Sequence, residues 1–298
     1  MKGRFINTLL LMLTALIWGL AFVAQSSGSE NIGAFTFNAI RSLIGAAVLL
    51  PLVISEMKKG RYPLKTTLLG GFLCGLCLFI ASTLQQFGIE KGTGAGKAGF
   101  ITSLYSVMVP LIRLITGKRT KLIIWISAVL SVTGLYLLCA GPSFSITGSD
   151  LLVLGCSLFF AFQILFIDSY SQKTSGILLS FIQLLTMCFM SSVPMFAAER
   201  PTIGQILPSW LPVVYTGIFS MGVAYTLQII AQKDSDPTVA SVILSLESVF
   251  AAVFGAIILK ESMSLKEIAG CVLIFTAVIL SQTAGARSES GEADAKDL

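Results

Sequence analysis

Ten stretches of roughly 17–22 residues carry almost no charge, at about 5–24, 33–54, 66–87, 97–115, 122–139, 151–167, 177–196, 210–231, 238–259 and 265–284. A helix needs about 20 mainly apolar residues to cross a bilayer, and a charged residue at its centre costs about 2.5–3.5 kcal/mol by insertion scales. Runs this clean, repeated ten times, specify an all-α integral membrane protein. The polar gaps between them carry turn chemistry: Ser26-Ser27-Gly28-Ser29, Lys59-Gly60-Arg61-Tyr62-Pro63, Gly92-Thr93-Gly94, Gly141-Pro142 and Asp234-Ser235-Asp236-Pro237. Pro237 falls where helix nine should begin and Asp236 where its cap should be. The first run, Phe5 to Ala24, exceeds the about 7–15 apolar residues of a secretory signal and reads as an uncleaved helix.

Composition agrees and removes other classes. Charged residues are 12% of the chain, against about 25% in soluble domains. The net charge is +5, but the basic residues punctuate the apolar runs instead of forming an aromatic-lined patch, so no nucleic-acid partner is expected. Histidine is absent, which removes the usual general base, proton shuttle and metal ligand. The six cysteines all lie in apolar stretches, where they act as small hydrophobes. That reading covers Cys74-Gly75-Leu76-Cys77 despite its CxxC spacing. The Gly92–Gly99 cluster lacks the GxxxxGK[ST] pattern of a phosphate loop, so it serves turns and packing, as do Gly70, Gly71 and Gly75. Neither a metal nor a cofactor is expected.

With the N-terminus in the cytoplasm, thirteen of the 20 Lys and Arg lie inside and five outside, with Arg41 and Arg113 within spans. This favours both termini being cytoplasmic and the cell membrane as the location. The two halves also resemble each other. Ala98–Val107 aligns with Ala240–Val249 at an offset of 142, with six of ten positions identical, and Thr83-Leu84-Gln85 matches Thr226-Leu227-Gln228 one residue out of step. Five spans is an odd number, so the second copy must enter the membrane in the opposite sense. The expected organisation is two inverted five-helix repeats, residues 5–140 and 150–284, followed by a polar, disordered cytoplasmic tail over 285–298. Secondary transporters recurrently use such repeats, with substrate held near the midplane.

Several strings resemble the EamA-type transporters of the drug/metabolite transporter superfamily. They are Ala15-Leu-Ile-Trp18-Gly19 in helix one, Arg41 early in helix two, and Leu244-Ser-Leu-Glu247-Ser-Val-Phe250-Ala-Ala-Val-Phe-Gly255 running to Lys260-Glu261 in helix nine. The likeness extends over nearly the whole chain. Ser248 departs from the proline often found after that glutamate, so a less kinked helix nine is expected. The resemblance implies a secondary transporter of small polar metabolites, such as amino acids or related compounds. It also implies a cavity built chiefly from helices one, three, four, six, eight and nine.

Glu247 lies about ten residues into helix nine, too deep for its short side chain to reach an interface. It is a candidate proton-coupling or substrate-binding carboxylate, or else a structural acid bonded to a neighbouring helix. Its repeat partner is Tyr105. Arg41 shares one helix face with Asn38 and Gly45, a face expected to point into the bundle. It would either recognise an anionic group, pair with Glu247, or bond helix-end carbonyls. Gln85 and Gln228 occupy matching positions and would face each other across one cavity, or glue helices together. Tyr225, Gln228 and Gln232 share a face, as do Ser82, Gln85 and Gln86. Gln163 and Trp18 complete the candidate cavity. Lys97 and Arg113 are expected to snorkel to the two interfaces, and Asp150 and Asp168 to stand isolated at helix ends. Helices four and nine look irregular at corresponding places, a pointer to a transport site.

The expected function is therefore a secondary transporter, with export the expected direction, alternating access the mechanism and protons the expected coupling ion through Glu247 and Arg41. A non-transporting membrane subunit or receptor is the alternative, and a membrane-embedded enzyme a weaker one, since no His or acidic cluster is present. The partners are a small-molecule substrate and the lipid bilayer, with homo-oligomerisation left open.

Overall fold

The structure is a computed structural model describing residues 2–28, 30–60, 62–118, 120–139, 146–259 and 264–294, without the side chains of Lys2, Cys139, Leu259 and 283–294. The expected Gly141-Pro142 turn, the Lys260-Glu261 end of the helix-nine string, and residues Ser29 and Arg61 of two other turns lie outside these residues. Ten helices follow one another: α1 (Gly3–Gly28), α2 (Ala34–Lys59), α3 (Leu64–Glu90), α4 (Ala95–Ile115), α5 (Leu122–Leu138), α6 (Gly148–Ser171), α7 (Gly176–Glu199), α8 (Ile203–Gln232), α9 (Pro237–Ile258) and α10 (Leu265–Gln282). Nine of these are long and apolar enough to span, and α5 is a shorter apolar helix. At 1.5 Å per residue, α5 covers about 26 Å, slightly less than the hydrocarbon core. Large apolar side chains on the outer faces, such as Phe5, Leu114, Ile115 and Phe189, are exposed, as a lipid-facing surface requires.

The packing has the symmetry that inverted copies demand. α3 packs on α6 as α8 packs on α1, and α3 on α7 as α8 on α2. α1 meets α9 as α6 meets α4. The pairs α2–α7 and α5–α10 are each their own mates, as elements on a two-fold axis must be. At α2–α7 the symmetry reaches side chains. Gly33 begins α2 without a side-chain cap of its own. Glu199, at the end of α7, supplies the cap, accepting from Phe35 N at 2.9 Å, Thr36 N at 2.7 Å and Thr36 Oγ1 at 2.5 Å. Glu56, near the end of α2, returns the contact by accepting from Ser175 Oγ at 2.8 Å, just before α7. A carboxylate at a helix N-terminus satisfies orphan N–H groups and opposes the helix dipole.

Three expectations change. Helix nine is not straighter for lacking proline: α9 breaks at Ser245, between Leu244 and Leu246. α4 breaks at the corresponding Ser103 and Leu104. At both breaks the i→i−4 bonding gives way to shorter turns, with Ser106 N on Ser103 O at 3.0 Å and Ser248 N on Ser245 O at 3.2 Å. Backbone bonding tightened around serine does what proline would have done. The tail over 285–298 was expected to be disordered, yet the α10 backbone continues as helix to Asp294. Its Ala, Glu and Arg residues are adequate helix formers. Finally, Lys97 and Arg113 do not simply snorkel, as described below.

The α5–α10 crossing depends on two glycines. A Cβ at Gly270 would sit 2.5 Å from Gly134 O and 2.7 Å from Leu138 N, and a Cβ at Gly134 would sit 2.6 Å from Gly270 O. These obstacles are backbone and cannot rotate aside. Gly270→Ala should therefore destabilise the protein by about 1–3 kcal/mol, as overpacking generally does, and lower the midpoint of thermal unfolding in detergent.

Candidate functional site

The breaks in α4 and α9 face each other, and the polar groups there meet. Tyr105 OH donates to Glu247 Oε1 at 2.9 Å, and Ser103 Oγ donates to the same oxygen at 3.2 Å. Ser103 and Ser248 hydroxyls lie 2.6 Å apart, and Ser248 Oγ also donates to Gly99 O at 2.8 Å. Glu247 is 3% exposed and Tyr105 2%. The two repeat partners singled out in the sequence are thus in direct contact.

Glu247 opens onto a cavity lined by all eight candidates: Trp18, Arg41, Gln85, Tyr105, Gln163, Tyr225, Gln228 and Glu247. They come from α1, α2, α3, α4, α6, α8 and α9. Phe22, Gln25, Thr102, Phe160, Ile164 and Ser220 also line it and were not anticipated. Most of the walls come from matched positions in the two repeats. Trp18 corresponds to Phe160, Ala21 to Gln163, Phe22 to Ile164 and Tyr105 to Glu247 at the offset of 142, and Gln85 to Gln228 at 143. Applying that offset to Trp18 would have found Phe160 in advance. Gln25 had a weaker signal, seven residues beyond Trp18 on the same helix face.

Arg41 and Glu247 share the cavity without pairing. The Arg41 guanidinium donates from Nε to Asn38 Oδ1 at 3.0 Å and from an Nη to Gln25 Oε1 at 3.1 Å, and it lies 5.1 Å over the Phe37 ring. Its ion pair is absent among those of the described residues. The cavity therefore has a basic wall held by α1 and α2 and an acidic wall held by α4 and α9.

The amides divide in role. Gln85 Nε2 donates to Thr102 Oγ1 at 3.0 Å, and Gln163 Nε2 to Gln183 Oε1 at 3.0 Å. Gln232 donates to Ile164 O at 2.6 Å and Gln86 to Gln25 O at 3.3 Å, so these two join helices behind the cavity. Two cavity-lining atoms, Gln228 Oε1 and Trp18 Nε1, are buried and have no hydrogen-bond partner. A buried acceptor or donor left alone costs about 1–3 kcal/mol, so both are suited to a water or ligand. Trp18 stacks obliquely on Tyr225, ring centroids 4.7 Å apart. It can reach the cavity because Gly19 lets α1 lie against α9: a Cβ there would fall 2.5 Å from Phe250 Cβ and 2.9 Å from Glu247 O. Space for the centre of a water amounts to about 30 Å³, enough for a water or two.

Asp150 was expected to be isolated and is not. Lys97 Nζ meets Asp150 Oδ2 at 2.6 Å, while Thr93 Oγ1 and Thr147 N donate to the same carboxylate at 3.0 and 2.7 Å. Arg113 likewise meets Asp236 Oδ2 at 2.5 Å. The partners are more than 50 and 120 residues distant in sequence, so charge spacing gave no hint of either pair. No group of three or more potential metal ligands occurs among the described residues.

The family profile described as EamA-like transporter family matches residues 6–140 and again 147–283. The chain belongs to the EamA-like transporter family. An uncharacterized transporter of Archaeoglobus fulgidus is 35% identical over 272 residues, covering 91% of this chain and 83% of its own. The uncharacterized transporter YwfM of Bacillus subtilis is 26% identical, covering 98% and 99%. A solved crystal structure superposes with a TM-score of 0.76 at 19% identity over 96% of this chain and 99% of that one, a likeness of fold. This EamA-family protein is accordingly an integral membrane protein of transporter type with two family repeats.

The wall assignment separates two residues one helical turn apart. With the native cysteines replaced, Gln228→Cys should react with a small polar thiol reagent, and Gln232→Cys should react at least several-fold more slowly. Equal inertness of both, measured by mass shift, would make Gln228 interhelical glue.

Proposed function

We propose that this EamA-family protein exports small polar metabolites, amino acids or related compounds, across the cell membrane by alternating access coupled to protons. The observation that supports this most is Glu247: a buried carboxylate at the junction of inverted repeats, facing a polar cavity and bonded only to neutral donors. An ionised carboxylate in a dry site is costly unless something neutralises it. A proton on Glu247, or a cationic group of the substrate held against it, does so equally well. Competition between the two is a direct route to proton-coupled exchange. Arg41, positioned by Gln25 and Asn38, would hold the opposite end of a substrate carrying an anionic group. Trp18, Tyr225 and Phe160 would bracket its apolar part, and Gln85, Gln163 and Gln228 its polar groups.

The cavity in its present form is too small for any metabolite, which fits an occluded state between two open ones. Both termini cytoplasmic is the orientation that the excess of Lys and Arg supports.

Reconstituted into vesicles, the protein should take up its substrate in response to a pH gradient, and Glu247→Gln should abolish that response while the protein stays folded. Wild-type pH dependence in the variant would remove the proton role. The substrate class is read by thermal stabilisation of purified protein against amino acids, their analogues, nucleotide-sugars and cationic drugs. The expected hit stabilises in proportion to concentration and loses its effect in Gln228→Ala.

A further inference from the structure

α4 carries a basic residue at each end, and Tyr105 lies midway. Lys97 and Arg113 each lie eight positions from Tyr105, so each stands about 12 Å from it along the helix. Each is engaged by an acid of the other repeat. Lys97 pairs with Asp150 in the first turn of α6, and Arg113 pairs with Asp236, the N-cap of α9. The pairs therefore bridge the two repeats on opposite sides of the cavity, one towards each membrane face.

We propose that these two ion pairs are the gates of the transport cycle, Lys97–Asp150 closing one face and Arg113–Asp236 the other. The proposal rests on the transporter reading above and identifies residues outside the cavity that set which face is open. Both pairs are formed here and the cavity centre has room for only a water or two, so on this proposal neither gate is open in this conformation. Rocking of one repeat against the other parts one pair and keeps the other as pivot.

The acids are suited to reversible opening. Asp150 also accepts from Thr147 N and Thr93 Oγ1, and Asp236 from Thr238 N at 2.8 Å and Val239 N at 3.4 Å. When its cation leaves, each carboxylate remains at a helix N-terminus, held by hydrogen bonds and the helix dipole. The cation sits on a long flexible side chain near a helix end and can turn to water. The gates differ in depth: the Asp150 side chain is 3% exposed and that of Asp236 38%. Water screens the second pair more, so the Arg113 face opens more readily.

The test replaces the cations, because the acids also cap helices. Ser220 lines the cavity and takes a reporter cysteine, on a chain without native cysteines, in proteoliposomes labelled by an impermeant thiol reagent from one face at a time. Lys97→Gln should raise labelling from the Lys97 face roughly fivefold or more and lower it from the Arg113 face; Arg113→Gln should do the reverse. Lys97→Arg and Arg113→Lys should restore the parent pattern. Should Lys97→Gln fail to yield monodisperse protein, Lys97→Gln/Asp150→Asn carries the same test without a stranded buried charge. Labelling unchanged in both variants, or changed equally from both faces, overturns the gates. Substrate counterflow is scored separately: gates that fail while counterflow persists leave the transporter reading intact, and face-specific labelling without any counterflow indicts that reading instead.

Discussion

A polypeptide in hydrocarbon must bond its own backbone, so it crosses as helices, and a unit of five helices ends on the face opposite to the one where it began. A second copy continuing from there is inverted. Everything distinctive about this protein depends on that parity. It places α2 beside α7 and α5 beside α10 as antiparallel self-mates, and it lets Glu199 and Glu56 each reach the start of the other's helix. It also brings Tyr105 of the first copy against Glu247 of the second, on or near the axis relating them, where a parallel repeat would have kept them apart.

Matched backbone positions do not imply matched chemistry. Trp18 faces a site whose other wall has Phe160, and Ala21 stands where the second repeat has Gln163. The tyrosine of one copy hydrogen-bonds the carboxylate of the other. Symmetry supplies a cavity with matched positions of the two repeats on its walls. The broken chemical symmetry leaves one carboxylate and one guanidinium among the cavity walls, the two groups on which the proposed recognition and coupling rest. Two aligned copies of Glu247 would have put like charges together in a dry site, and two copies of Tyr105 would have left nothing to ionise.

The spans were legible because hydrocarbon punishes charge so heavily that ten clean runs have one reading. The candidate residues were legible for the same reason: Glu247, Arg41, Gln85, Gln163 and Gln228 stand where polarity is expensive, and all of them line one cavity. The Lys97–Asp150 and Arg113–Asp236 pairs were hidden because each depends on how helices from different repeats dock, not on local spacing. Snorkelling was a sound expectation for an isolated helix; docking offered Lys97 and Arg113 carboxylates within reach. The break at Ser245 was hidden by the absence of proline, although its repeat mate Ser103 sits in the same identical stretch.

Those breaks explain why the acid can be where it is. The polar ties at the breaks join the two repeats next to the acid. Around Ser103 and Ser245 the ladder shortens, and hydroxyls step in across the interface: Ser248 onto Gly99 O, Ser103 beside Ser248, and Ser131 within 3.1 Å of Ser245. α4 and α9 are therefore joined at mid-depth by short polar contacts, and α4 is held at its ends by ion pairs to α6 and α9. A proline at position 248 would have removed the N–H now bonded to Ser245 O and would have taken away the hydroxyl that ties α9 to α4. Serine at that position keeps the shortened turn and adds the tie, so the carboxylate next to it sits where α9 is fastened to α4.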